Sequence, residues 1–227
     1  MAAVRSVYQR VLGSRYNALQ PQLRDYFSLA VGSGSYGLGT GVFDVVGCPL
    51  PWLRPALAPA AAENTFFPEF GRGVPFTIEN HAHLDPFGRP SLTALRRVDF
   101  GSRTRTFEDS TVFDQQHGLL DYVGRHRRLA TAMSLDVTAA GRLRIASSAT
   151  RILAGPLRVV IPAFLDAKAY TEQWWDENIG KFRIQTKVIQ PQAGAVFVYA
   201  GSFDYTLVAA EPALPGRARP ARWESRA

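Results

Sequence analysis

Two hydrophobic periods follow one another along the chain. Tyr8, Val11, Leu12, Tyr16 and Leu19 recur at the spacing of one helical face, which predicts an amphipathic helix over about 4–19. Pro21 interrupts it, and Leu23, Tyr26, Phe27 and Ala30 resume the same period in a second short helix, with the proline in the first turn where its fixed φ is tolerated. The cluster Gly32-Ser33-Gly34-Ser35 closes this helical segment, residues 4–30. From Tyr36 the period is two. A first strand over 36–46 carries Gly37, Gly39 and Gly41 on one face, leaving that face free for close packing. The stretch 49–68, with its prolines, alanines and Trp52, reads as a loop over a barrel mouth or a sheet edge. Further strands are predicted at 74–84, 92–100, 104–113, 119–123, 128–137, 142–152, 157–161, 168–175, 182–189 and 195–208. Turns such as Pro86-Phe87-Gly88 and Ala139-Ala140-Gly141 separate several of them.

Within strands, Leu129, Thr131, Met133, Leu135 and Val137 share one face, and Phe197, Tyr199, Phe203, Tyr205 and Leu207 share another. Many short strands with one apolar face each and no long helices between them make an antiparallel meander. The fold class expected is mainly all-β: an antiparallel β-barrel or strongly curved sheet with an N-terminal helical segment, closure removing the edges. A two-sheet sandwich is the competing architecture. One domain is expected over 1–208, and the aperiodic, arginine-rich residues 209–227 are expected to be a disordered tail.

Composition adds exclusions. With 227 residues, 46% hydrophobic and 20% charged, the chain has enough apolar surface for a core without disulfide or metal. The net charge of +7 is scattered over strands and tail, so nucleic acid is not an expected partner. A single cysteine, Cys48, beside Pro49, gives no sign of an oxidising compartment and reads as an inert thiol. Residues 1–12 lack the continuous apolar region of a secretory leader, and no stretch has the roughly 18 apolar residues of a membrane span. The expected location is the cytoplasm.

Several motifs touch on chemistry. His81-Ala82-His83-Leu84-Asp85-Pro86 resembles the zinc-binding string of metallo-β-lactamase-like hydrolases, but the final ligand position holds Pro86 and only His117 and His126 remain. A strand face near a turn explains it better, and no metal is assigned. The glycines of Gly37-Leu38-Gly39-Thr40-Gly41 sit inside a strand rather than between strand and helix, against a dinucleotide loop, and no cofactor is expected. No G-x-S-x-G nucleophile motif occurs. On 168–176, Tyr170, Glu172, Trp174 and Asp176 share a face: a carboxylate beside tryptophan in a pocket would act as general acid or base, whereas on an outer face it would pair with Lys181 or Arg183. Glu172 and Tyr199 are the catalytic candidates, and Met133, Trp174, Phe197, Phe203 and Tyr205 the substrate-binding ones.

Leu19-Gln20-Pro21 with Leu23 and Phe27, Gly39-Thr40-Gly41 with Asp44, Pro75, Gly155-Pro156-Leu157 leading to Ile161-Pro162, Phe182-Arg183-Ile184 and Tyr199-Ala200-Gly201 together resemble a bacterial family of unknown function. That family occurs alone or fused to saccharopine-dehydrogenase-like reductases. The chain departs from its pattern at Leu95, before Arg96-Arg97, and at Ser202 and Phe203, where tryptophan is usual. The resemblance implies a shared fold and no reaction. Abundant aromatic strand faces without nucleophile, metal or nucleotide signatures lead to a barrel enclosing an apolar small molecule, as a cofactor-independent cyclase or isomerase of a polyketide- or terpene-like substrate. A non-catalytic carrier of a lipid-like ligand is the alternative, and an interaction module using Trp52 a third.

Overall fold

The computed structural model describes residues 5–210 and 213–226. Its strands are β1 (Ser35–Gly47), β2 (Phe70–Gly71), β3 (Val74–Leu84), β4 (Pro90–Asp99), β5 (Thr104–Asp114), β6 (Gly118–Val123), β7 (Leu129–Val137), β8 (Leu143–Ser147), β9 (Arg151–Ala154), β10 (Leu157–Val160), β11 (Lys168–Asp176), β12 (Lys181–Gln190) and β13 (Gly194–Ala209). Antiparallel pairing runs from β1 through β3 to β7, on to β8, β11, β12 and β13, and β13 returns to β1 through Val198–Ala209, closing a barrel of 10 strands. Closure leaves no edge in the main wall, which is why the meander curls rather than splitting into two sheets.

The glycines of β1 set the closing seam. A Cβ on Gly37 would lie 1.6 Å from the Tyr205 hydroxyl oxygen, and one on Gly41 2.2 Å from the Ser202 carbonyl. Only a strand face without side chains lets β13 come this close.

The segment 142–152, expected as one strand, is divided. Met133 pairs with Ser147 but Leu129 with Ile152, a one-residue slip in the register along β7. Below the slip, β8 is flanked by β11; above it, β9 is flanked by β10. The β9–β10 hairpin therefore leaves the barrel wall as a flap.

The N-terminal segment fills one end of the barrel. Helix α1 (Val7–Leu12) starts with a reciprocal cap between Ser6 and Gln9, and Ser6 also donates to the Phe27 carbonyl at 2.6 Å. The helix predicted to reach Leu19 stops at Gly13, whose φ of +56° breaks the α-helical path, and a 3-10 stretch follows to Ala18. Helix α2 (Pro21–Tyr26) has proline in its first turn. Gln20 ties this segment to the wall, donating to the Trp175 carbonyl at 3.1 Å and accepting from the Trp175 amide at 2.9 Å. Leu12, Leu19, Leu23 and Phe27 are buried in the main core. In the 49–68 stretch, a short helix α3 (Ala58–Ala62) precedes Phe67, which is buried edge-on against Phe197 and Phe100.

The C-terminal residues differ from the expected disordered tail. Residues 213–226 run back over the outer face of the barrel, where Glu224 and Ala218 are buried. Trp223 lies 4.5 Å from the Arg127 guanidinium and edge-on to His83, and Arg89 donates to the Glu224 carbonyl at 2.7 Å. The segment has no period because it is held by side-chain contacts rather than by a ladder; Glu211, Pro212 and Ala227 lie outside the described residues. Among the described residues, no helix is long and apolar enough to cross a membrane.

Candidate functional site

Inner faces follow from the alternation. On β4, Leu92, Ala94, Arg96 and Val98 point one way; on β5, Phe107, Asp109 and Thr111; on β6, Leu119, Asp121 and Val123. These sets face the barrel interior, where a cavity of about 290 Å³ remains, close to the ~300 Å³ lower end of small-molecule sites. Its walls are mainly apolar, including Leu92, Phe107, Leu129, Met133, Ile145 and Ile184. Tyr26 and Phe27 close it at the helical end, Phe66 contributes from the loop after α3, and Leu165, 59% exposed, marks where it reaches the surface.

Three ionisable residues interrupt this apolar lining on adjacent strands. Arg96 Nη1 donates to Asp109 Oδ2 at 2.9 Å. Their side chains keep 15% and 14% of their surface accessible, on the cavity that both line. Asp121 is buried, with Thr111 Oγ1 at 3.5 Å from its Oδ1. Burial, reinforced by the nearby charge of Asp109, pushes the Asp121 carboxyl up to about 8, because a low-dielectric site disfavours a second negative charge. At neutral pH it is therefore largely a neutral acid that can donate a hydrogen bond or a proton. Burial opposes the charge on Arg96, but Asp109 outweighs this and keeps the guanidinium ionised. Tyr8 and Tyr199, also on the cavity wall, are held as neutral phenols by burial. At the helical end Asn80 donates to the hydroxyls of Tyr26 and Tyr205 at 3.3 and 3.4 Å.

The residues singled out from the sequence divide. Met133, Tyr199 and Tyr205 line the cavity. Phe197 and Phe203 face inward but are absorbed by the core: Phe197 packs on Phe66 and Phe67, and Phe203 on Tyr26, Phe76 and Phe182. Glu172 and Trp174 lie on the outside of β11, which corrects their assignment to the site. Glu172 accepts from Arg144 at 2.8 Å and Arg142 at 3.0 Å. The Arg144 hydrogen bond, with Arg142 beside it, holds its carboxyl below the usual range, the reverse of a pocket acid. Trp174 lies beneath the Arg142 guanidinium at 4.9 Å. The inner set of β11 is Ala169, Thr171 and Gln173, so the more polar face is the enclosed one.

The histidine string points outward as well. His81 bonds Glu79 at 3.0 Å, His83 bonds Thr93 at 3.0 Å, and Asp85 is engaged by Arg89 at 2.8 Å. Among the described residues no group of three or more His, Cys, Asp or Glu side chains is placed to hold a metal ion. Arg96, Asp109 and Asp121 were missed, although Arg96 and Asp121 are each the one charged position in an otherwise apolar or neutral alternating set, and Asp109 shares its set only with Arg105 at the strand's start.

Fold and cavity together define a closed antiparallel barrel with an apolar interior and a buried arginine–aspartate cluster in its wall. The chain belongs to the family described as Domain of unknown function (DUF4166), which matches residues 19–203. It is 26% identical over 199 residues to Uncharacterized protein YndH of Bacillus subtilis (strain 168), covering 87% of this chain and 96% of that one. No solved structure matches it.

Proposed function

We propose that the barrel binds one small, mainly apolar molecule carrying an oxygen function and moves a proton on it, an isomerisation or ring closure that requires no cofactor. The observation behind this is the buried Asp121 carboxyl, kept protonated by desolvation and Asp109, beside the Arg96–Asp109 pair in a mainly apolar cavity. Asp109 takes a proton from a carbon next to a carbonyl and returns it at another carbon. Between these two events the negative charge resides on the carbonyl oxygen, where Arg96 and the undissociated Asp121 stabilise it. The hydroxyl of Tyr199 orients the same oxygen. The apolar walls fold a flexible polyketide- or terpene-like chain into a reactive conformer and exclude water. The cytoplasm is the compartment in which we place this activity.

Native mass spectrometry of the purified chain, followed by solvent extraction, should recover a bound apolar molecule. Conversion of candidate polyketide or terpene carbonyl compounds should fall at least about 100-fold in Asp109→Asn, the order expected for removing a general base, and also fall in Tyr199→Phe. A ligand bound without any conversion would leave a non-catalytic carrier. An empty chain that binds no apolar compound would refute both functions.

A further inference from the structure

Polar groups line the cavity on two opposite walls. Around the barrel, β4, β5 and β6 lie five strands from β11, β12 and β13 in either direction, so each strand of the first set faces one of the second across the bore. Arg96, Asp109 and Asp121 stand on the first wall. On the second, Thr171, Gln173, Thr186 and Tyr199 line the cavity among apolar neighbours such as Ile184 and Val188. Burial raises the Tyr199 phenol, and the charges of Arg96, Asp109 and Asp121 also act on it, so the two patches lie within electrostatic reach of each other.

The hydrogen-bonding groups of the second wall are unequally used. Direct pairing sets Thr171, Thr186 and Tyr199 in one row across β11, β12 and β13. The Thr171 and Thr186 hydroxyls bond each other at 2.8 Å, and Thr186 bonds Tyr199. Gln173, one inner position further along β11, stands outside this row. It is 4% exposed, and its Nε2 has no hydrogen-bond partner among the described residues. An amide in that state forgoes the hydrogen bonds it made to water, and a ligand oxygen would supply one. The inner residues of β11 run from Ala169, on the side of the mouth at Leu165, towards Trp175, whose backbone is tied to Gln20 of the helical segment. Gln173 therefore marks the closed end of the cavity. On the first wall Arg96 Nε and Asp109 Oδ1 likewise lack partners among the described residues. Each wall thus keeps polar atoms that the barrel itself does not satisfy.

We propose that the cavity selects a molecule with two oxygen functions on opposite edges, one held by Arg96, Asp121 and Tyr199 and the other a carbonyl that accepts from the Gln173 amide. This rests on the ligand-binding role proposed above and narrows it. A polyketide-like chain, whose carbonyls recur along its length, meets both walls; a terpene with a single oxygen meets one and leaves the Gln173 amide unpaired.

The matched ketones isophorone and ketoisophorone test this. Both are trimethylcyclohexenones, and the second carries a further carbonyl, across the ring from the first, in place of a methylene. Chemical-shift titration of the full chain should show ketoisophorone binding more tightly by about fivefold or more, the order of one hydrogen bond to a buried donor. Gln173→Leu should bring the two ketones to within about twofold of each other. Its melting temperature should not fall, since the amide has no protein partner to lose. Equal affinities in the parent chain, or a preference that Gln173→Leu leaves in place, overturns the second subsite. A melting temperature lowered by about 3 °C or more in that variant would mean a structural role for the amide and overturns it too. Deuterium uptake next to the ketone carbonyls in heavy water reports on the proton transfer separately. Preference for ketoisophorone without protein-dependent uptake removes that activity alone, isophorone binding without any preference removes the second subsite alone, and binding of neither ketone overturns both.

Discussion

Replacing Asp121 by asparagine removes an ionisable proton while nearly keeping the shape of the neutral acid. The parent carboxyl loses its proton near pH 8 in the folded chain and near the ordinary value of about 4 when unfolded. Between those limits the folded state binds the extra proton, so stability falls as the pH rises, by up to about 1.4 kcal/mol per pH unit. The full loss across the window is on the order of 5 kcal/mol. Below about pH 4 both states are protonated and this contribution is fully present; above about pH 8 it is gone. An asparagine has no such dependence. Urea unfolding followed by tryptophan fluorescence from pH 4 to 9 should therefore show parent and Asp121→Asn within about 1 kcal/mol of each other at pH 4 and the variant clearly more stable at pH 9. Arg96, Tyr8 and Tyr199 are common to both chains, so the difference reports on Asp121 together with its interaction with the neighbouring Asp109. A difference that stays constant from pH 5 to 9, or a carboxyl carbon resonance that titrates near pH 4, would contradict a buried neutral acid at this position.

Three further substitutions probe the architecture. Glu172→Gln should change thermal stability by no more than about 1 kcal/mol and leave ligand uptake intact, since its ion pairs are partly exposed; lost uptake would return this residue to the site. Gly37→Ala should cost about 2 kcal/mol or more by differential scanning calorimetry, because the added methyl meets the Tyr205 ring, and a loss under about 0.5 kcal/mol would mean the seam is looser than described. Leu23→Ala, at a fully buried position in the helical plug, should cost about 2–5 kcal/mol in urea unfolding; a negligible cost would show that the helices do not seal the barrel.

Strand positions and fold class were legible because alternation of period two is a local property, written wherever one face of a strand meets a core. The β1 glycines announced close packing for the same reason: an absent side chain can be read directly, although its partner, Tyr205, cannot. Alternation shows which residues share a face but not which face is inward. On β11 the aromatic, acidic set Tyr170, Glu172 and Trp174 looks like a site, yet tertiary packing turns it out to solvent and turns Thr171 and Gln173 in. Neighbouring strands in the closed barrel decide that, and Arg142 and Arg144 from the adjacent β7–β8 hairpin then satisfy Glu172. The cluster of Arg96, Asp109 and Asp121 is likewise invisible to any one strand. Each is an isolated charge between apolar or neutral neighbours of its set, and only the register of β4, β5 and β6 makes the three neighbours and raises the proton affinity of the last. The terminal segment was misjudged because it has no period to read: Trp223 and Glu224 are fixed by His83, Arg89 and Arg127, contacts between residues far apart in the chain that exist only after the barrel has formed. The sequence by itself thus determined the strands and their faces, whereas direction, register and long-range pairing, which depend on the whole closed sheet, decided what the interior contains.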